Sequence, residues 1–332
     1  MNADEDRLSG EERLIAHLFA PLATHPGALG LTDDCAVITP AQGSDLVLTT
    51  DTIVGGVHFF NDDAAQAIAS KALRVNLSDL AAKGAQPVGF LVSLALPMEI
   101  GQDWLIEFAD GLRGDAQRYA CPLLGGDTDR TPGPITIAVS MFGSLPTGTM
   151  VRRSGAQPGD IIFVSGTIGD SALGLALRND PARDWPLSAA QRQHLSDRYL
   201  LPQPRNALAD AVRTHASAAM DVSDGLVGDL TKLARVSKVA ANVEVARVPV
   251  SEAARALTTA EPAMRDVALT GGDDYEIVCT VPPDRAERFR DAAKAAAVAV
   301  SDIGEIAAGN GARFIGADGE PLTFRQVSFS HF

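Results

Sequence analysis

Lys71-Ala-Leu-Arg-Val-Asn-Leu-Ser-Asp-Leu-Ala-Ala-Lys-Gly-Ala85 closes a longer helical stretch. Leu73, Leu77 and Leu80 recur at three- and four-residue steps, so the pattern beginning near Asp63 predicts a helix that reaches Lys83 and stops at Gly84. Asp79 lies inside it with Asn76 at i−3 and Lys83 at i+4, a polar stripe beside the leucines. Aspartate is a poor residue in a helix interior, so this stripe is either a solvated face or part of a site. The apolar run 88–96 follows at once and predicts a strand.

Outward from this helix and strand, both element types continue. Upstream, Ser9 and Glu12 form a capping box, and Leu14, Ile15, Leu18, Phe19 and Leu22 recur at helical spacing before Pro26-Gly27. Short β-type runs are expected at 35–38 and 45–50. Downstream, Trp104, Leu105, Phe108, Leu112 and Tyr119 mark a helix, with strands at 122–124 and 135–145. This makes the first half a mixed α+β layer. After the turn Pro146-Thr-Gly-Thr, strands are expected at 160–165, 218–222, 241–245, 275–281 and 312–315. Helices near 170–178, 188–198, 205–214, 225–236, 251–260 and 283–297 lie among them, an α/β alternation. The expected domains are 1–147 and 148–332, a division that suits 332 residues.

Twenty-eight Lys and Arg against 42 Asp and Glu leave a formal charge of -14 at pH 7. Such a surface repels phosphodiester backbones, so nucleic acid is not an expected partner. Cys35, Cys121 and Cys279 form no CxxC and are expected to be buried thiols of a reducing compartment. The first residues carry acid where a secretory signal would carry base, and no apolar run approaches the ~18 residues of a membrane span. A cytoplasmic protein that does not enter the membrane is expected.

Phosphate-binding loop, dinucleotide fingerprint, zinc-protease, nucleophile-elbow and protein-kinase motifs are all missing. Instead, aspartates recur after apolar runs or beside glycines: Asp33-Asp34, Asp51, Asp127 and Asp129, Asp221 and Asp224, Asp273-Asp274. Each alone is an ordinary turn or N-cap residue. Together, at strand ends, they would place carboxylates where open α/β sheets gather ligands. A converging set repels itself and must protonate or hold cations. All-oxygen donors without His or Cys select Mg²⁺ or Mn²⁺ over zinc, and Mg²⁺ completes its shell with water and substrate phosphates. That points to phosphoryl chemistry. Arg152 and Arg153 either add phosphate contacts or form a solvated loop. The six histidines show no metal spacing, but His58 follows Gly55-Gly56 on a loop where a ligand can approach closely. Phe329 and Phe332, in the C-terminal tail, either anchor it or offer a ring to stack on a heterocycle.

Several motifs stand in a fixed order: Gly30-Leu-Thr-Asp-Asp34, Thr49-Thr-Asp-Thr52 with Gly-Gly-Val-His58, the stretch 71–85, and Gly125-Gly-Asp-Thr128. The series continues through Arg153-Ser-Gly-Ala-Gln-Pro-Gly-Asp160, Gly166-Thr-Ile-Gly-Asp-Ser171, Met220-Asp-Val-Ser-Asp-Gly-Leu226 and Gly271-Gly-Asp-Asp-Tyr-Glu276. Together they resemble the motifs of the thiamine-monophosphate kinases. The resemblance implies an α+β, two-domain fold like that of aminoimidazole ribonucleotide synthetase and selenophosphate synthetase. It also implies N-terminal sheets pairing across a homodimer and a C-terminal α/β domain. The N-terminal domain would serve metal and ATP binding and dimerisation, and the C-terminal domain nucleotide and substrate contacts.

By the same resemblance, Asp33, Thr49, Thr50, Asp51, Asp79, Asp127, Asp221 and Asp224 would hold several Mg²⁺ ions. Gly126, Asp127, Arg153 and Ser223 would contact ATP, and His58, Asp273 and Phe329 thiamine monophosphate. The implied reaction is direct in-line transfer of the γ-phosphoryl group of ATP to thiamine monophosphate, giving thiamine diphosphate. A phosphate monoester, with a second pKa near ~6, is largely dianionic at pH 7, so no catalytic general base is required. Thr32 stands where the family often has Gly, Asp273 where Glu is common, and Phe329 where other aromatics occur. Two other classes remain in view: another ATP-dependent enzyme of the superfamily, and a non-catalytic acidic protein that binds divalent ions or nucleotide.

Overall fold

A computed structural model describes residues 13–328 of the chain. It divides into two compact units, residues up to 77 with 86–148, and residues 78–85 with those from 149 onward. The capping box at Ser9 and Glu12, together with Phe329 and Phe332, lies outside the described residues.

In the first unit β1 (Ser44–Val54), α1 (Ala65–Ala82), β2 (Gln86–Leu96), α2 (Gln102–Arg118), β3 (Leu123–Arg130) and β4 (Thr136–Pro146) follow in order. The last turn of α1, from Ser78, counts with the second unit. The sheet order is β1-β4-β2-β3, antiparallel except for the parallel pair β2 and β3. The leucine spacing of the quoted stretch produces what it predicts, since Leu73 and Leu77 are fully buried with Ile68 on α1. On α2, Phe108 and Leu112 are also fully buried, and Trp104 stacks on Phe108 with ring centroids 5.0 Å apart. Each such side chain contributes about 1.5–3 kcal/mol on burial. A buried ion pair also joins the helices. Arg74 Nε donates to Asp115 Oδ2 at 2.7 Å, and its terminal nitrogen donates to Asp115 Oδ1 at 2.9 Å.

The second unit contains β5 (Ile161–Ser165), α3 (Asp170–Asn179), α4 (Ala189–Leu200), α5 (Ala209–His215), β6 (Ala218–Val222), α6 (Leu226–Ser237) and β7 (Ala240–Glu244). After these come α7 (Glu252–Ala260), α8 (Met264–Thr270), β8 (Glu276–Val281), α9 (Ala286–Ala295), β9 (Val300–Ala307) and β10 (Gly311–Ile315). Its sheet order is β10-β7-β9-β5-β8-β6, and only β10 and β7 run parallel. Helices and strands alternate as expected, but the mostly antiparallel pairing removes the parallel-sheet argument for ligands at strand ends. Ile162, Val164, Met220, Val222, Leu226, Leu230 and Ile303 share one buried cluster.

Several local expectations are corrected. Residues 35–38 form no strand: Val37 makes one backbone bond to Gly27, at 2.8 Å, in place of a ladder. Gly27 is required there, since an added Cβ would sit 1.8 Å from the Val37 carbonyl oxygen. Strand β9 and helix α8 were not expected; β9 directly follows an alanine-rich run whose helix propensity masks it. Asp51 lies within β1 and Asp127 within β3, so neither ends a strand.

The cysteine expectation is also corrected in part, because Cys121 and Cys279 are buried while Cys35 is exposed. Burial pushes both interior thiols up to about 12, which leaves almost no thiolate at pH 8. A thiol reagent at pH 8 is therefore expected to titrate Cys35 rapidly in native protein and all three thiols after denaturation. Three fast thiols in native protein would contradict the burial.

Candidate active site

Within the first unit, Asp33, Gly126 and Asp127 line one pocket of about 870 Å³ on a face of the four-stranded sheet, with Ser93, Ala138 and Ser140. The register decides which side chains share that face. Asp127 pairs with Ser93, Ser93 with Ala138, and Ala138 with Thr52, while Asp51 pairs with Val139 in the neighbouring row. Successive strand residues point to opposite faces. Thr50 therefore lies on the pocket side, where its Oγ1 is 3.1 Å from Ser140 Oγ. Thr49 and Asp51 lie on the other face, with the buried Val92 and Val139. The sequence-named residues of this unit are thus divided between two faces. Gly126 fits its position for a steric reason, since a Cβ there would lie 2.0 Å from the Val92 carbonyl oxygen.

His58 sits in the turn after β1, and the Val54 N–H donates to its Nδ1 at 3.0 Å. In the neutral ring this leaves the proton on Nε2. The buried Lys71 Nζ donates to the His58 carbonyl oxygen at 2.8 Å and fixes the turn to α1.

In the second unit the backbone brings two of the named segments together. Asp273 N–H donates to the Ser223 carbonyl oxygen at 2.8 Å and Tyr275 N–H to that of Val222 at 2.9 Å, which lays the loop 271–275 along 222–224. Gly272 permits this approach, because a Cβ would sit 2.2 Å from the Ser223 oxygen. The turn holds Asp273 and Tyr275 at φ of 70° and 51°, a left-handed conformation costly for side chains other than Gly and concentrated at functional sites. Ser223 and Asp273 meet there, with Asp224 next along the chain, while Asp221 lies two residues before Ser223 on β6, opposite Ile277.

Asp221 is buried, and its carboxyl stands well above the usual range because burial disfavours its charge and Asp79 and Asp229 repel it. Asp79 is half-buried in the last turns of α1 and Asn76 is fully buried, so the polar stripe is not a solvated face. Lys83 only partly offsets the charges. Its Nζ donates to the Ala219 carbonyl oxygen at 2.7 Å, and its pKa is lowered to about 8 by burial and by Arg153, against the pull of Asp221 and Asp79. Arg152 and Arg153 are both exposed.

Sequence reasoning missed Asp229 and Lys232. Asp229 is fully buried in the first turn of α6, and Lys232 lies one turn on, at the i,i+3 spacing that joins acid and base on a helix. The opposite charges at that spacing were the available signal. Also missed was Glu276, fully buried between Arg198 and Arg205 and accepting from Ser165 Oγ at 2.7 Å.

Asp79, Asp221, Asp224 and Asp273 offer oxygen donors of the kind a hard divalent ion takes, and a buried, repelled carboxylate is stabilised by a cation. Among the described residues, no group of three or more His, Cys, Asp or Glu side chains is placed to hold a metal ion. No helix among them is long and apolar enough to cross a membrane.

Residues 32–145 match the N-terminal domain of the AIR synthase related proteins, and residues 157–316 their C-terminal domain. The chain is 44% identical to the thiamine-monophosphate kinase of Caulobacter vibrioides over 90% of its own length and 84% of that protein. It resembles the crystal structure of the Stenotrophomonas maltophilia thiamine-monophosphate kinase with a TM-score of 0.83 at 40% identity, covering 93% of this chain and 96% of that one. A ThiL structure complexed with AMPPCP and TMP has a TM-score of 0.78 at 31% identity, covering 90% and 91%. A two-domain protein of the AIR synthase related class is what these features define. Within that class, the chain belongs to the thiamine-monophosphate kinase family.

Proposed function

We propose that this chain phosphorylates thiamine monophosphate to thiamine diphosphate with ATP, in thiamine diphosphate biosynthesis in the cytoplasm. The observation that carries the proposal is the bonding of loop 271–275 along 222–224, which brings Asp273 to Ser223 beside Asp224, with Asp79 acting on the nearby buried Asp221. A relative of the same family has been captured with a non-transferable ATP analogue and TMP, which supports the choice of substrates.

Asp33, Thr49, Thr50, Asp51, Asp79, Asp127, Asp221 and Asp224 are assigned to Mg²⁺. Gly126, Asp127, Arg153 and Ser223 are assigned to ATP, and His58, Asp273 and Phe329 to thiamine monophosphate. Bound Mg²⁺ would neutralise charge on the two phosphate-bearing substrates and permit their in-line approach. The chain's own residues position and orient. Exposed Arg153 offers a fork of N–H donors to phosphate oxygens. His58, its ring oriented by the Val54 N–H donated to Nδ1, would contact thiamine monophosphate. Tyr275 Oη donates to Asp273 Oδ1 at 3.3 Å and orients that carboxylate. No residue is asked to remove a proton, because the acceptor phosphate is already an anion at pH 7. Domains 1–147 and 148–332 keep the roles the resemblance implies. A second copy of the chain would pair with this one through their N-terminal sheets.

The test is ADP release from ATP and Mg²⁺ with and without thiamine monophosphate, with chromatographic detection of thiamine diphosphate. ADP release that depends on thiamine monophosphate and matches thiamine diphosphate one to one is expected. ATP turnover indifferent to thiamine monophosphate would refute the assignment and favour another enzyme of the class.

A further inference from the structure

One of the assigned metal carboxylates is already engaged by a cation of the chain itself. Lys232 Nζ contacts Asp224 Oδ2 and also donates to Asp229 Oδ1 at 2.9 Å, while the other oxygen of Asp229 accepts the Asp224 backbone N–H at 2.8 Å. Asp229 and Lys232 are joined by their spacing on α6, and Asp224, two residues before the helix, completes the arrangement. The two carboxylates differ in their need for this lysine. Asp229 is fully buried, and loss of Lys232 would leave its charge uncompensated in the interior. Asp224 has a side chain 35% exposed, so water can compensate it.

We propose that Lys232 is a resident counter-ion that competes with divalent cations for Asp224 and so weakens metal binding by the nucleotide-free protein. The proposal rests on the assignment of Asp224 as a metal ligand. Lys232 is a positioning residue that acts through Asp224. When a cation takes Asp224, the lysine stays on Asp229, so the interior keeps its charge balance while Asp224 changes partner. Tight metal binding then awaits the additional oxygen ligands that ATP phosphates bring.

The experiment measures Mn²⁺ binding to the full chain without nucleotide or substrate, from the electron paramagnetic resonance signal of free Mn²⁺ at fixed ionic strength. The principal variant is Asp229→Asn with Lys232→Met, which removes the buried acid together with its counter-ion and leaves net charge unchanged. An ion pair of this exposure is worth up to about fivefold, so the Mn²⁺ Kd of the double variant is expected to fall by about that factor. Lys232→Arg, which keeps the cation, is expected to bind Mn²⁺ like the starting protein. A merely structural Lys232 would change thermal stability and leave the Kd of folded protein unmoved. A Kd equal to or weaker than that of the starting protein, in a double variant shown folded by circular dichroism, overturns the proposal. If the double variant does not fold, Lys232→Gln, which keeps a donor and loses the charge, gives the same readout with the same two outcomes. Asp224→Asn separates the underlying assignment. If it leaves Mn²⁺ binding unchanged, Asp224 is not a ligand and both statements fall; if it weakens binding while the double variant is no tighter, only the role of Lys232 falls.

Discussion

Asp221→Asn is expected to lower kcat for thiamine diphosphate formation by at least about 100-fold, the scale on which even outer-shell partners of a metal site act. The same change should leave the fold intact or make it more stable. Asp221 is buried and repelled by Asp79 and Asp229, so exchanging its carboxylate for an isosteric amide removes a desolvated charge and two repulsions. The pH dependence has a definite sign. A carboxyl whose folded pKa is raised holds its proton in the folded state above the ordinary value of 3.8, so its contribution is full below that value and is lost as pH rises toward the folded pKa. In chelator-treated protein, the thermal midpoint of the parent should therefore decline relative to Asp221→Asn as pH rises above about 4. Midpoints of the two proteins that stay parallel from pH 4 to 8 would show that Asp221 is not a strained acid. Unchanged kcat would remove it from the metal set.

Arg74→Met is expected to cost about 3–5 kcal/mol, the usual penalty for leaving one partner of a buried ion pair unmatched. Arg74 and Asp115 are both buried, and their two parallel bonds tie α1 to α2. Because α1 also carries Lys71, which holds the His58 turn, a loosened helix should lower the apparent affinity for thiamine monophosphate as well as stability. Urea unfolding provides the measurement, and adding Asp115→Leu to Arg74→Met should recover much of the loss by removing the orphaned charge. A single variant within about 1 kcal/mol of the parent would mean that solvent reaches Asp115 and that the pair is worth no more than a surface bridge.

The elements were legible wherever a helical or alternating apolar pattern was long, as in the stretch 71–85, because side-chain period is a local property of backbone geometry. They were illegible where local preference and tertiary pairing disagree, as at 35–38, whose apolar run finds no strand partner, and at β9, which emerges from an alanine-rich run. The candidate residues of the second unit were legible as motifs, and the bonding of loop 271–275 along 222–224 explains why distant motifs belong together.

What the sequence by itself determined is the chemistry on offer: many aspartates without metal-ligand His or Cys patterns, an acidic surface, and motifs in the order shared with the thiamine-monophosphate kinases. The charge state of those aspartates only the tertiary structure decided. Sequence reasoning treated them as unpaired carboxylates requiring outside cations, but Lys232 already joins Asp224 to Asp229, and Lys83 lies within the field of Asp79 and Asp221. The sheet likewise places Asp51 and Asp127 on opposite faces, which the sequence does not reveal. The physical reason is that electrostatic energy depends on distance and desolvation, and both are set by which strands pair and which side chains are buried.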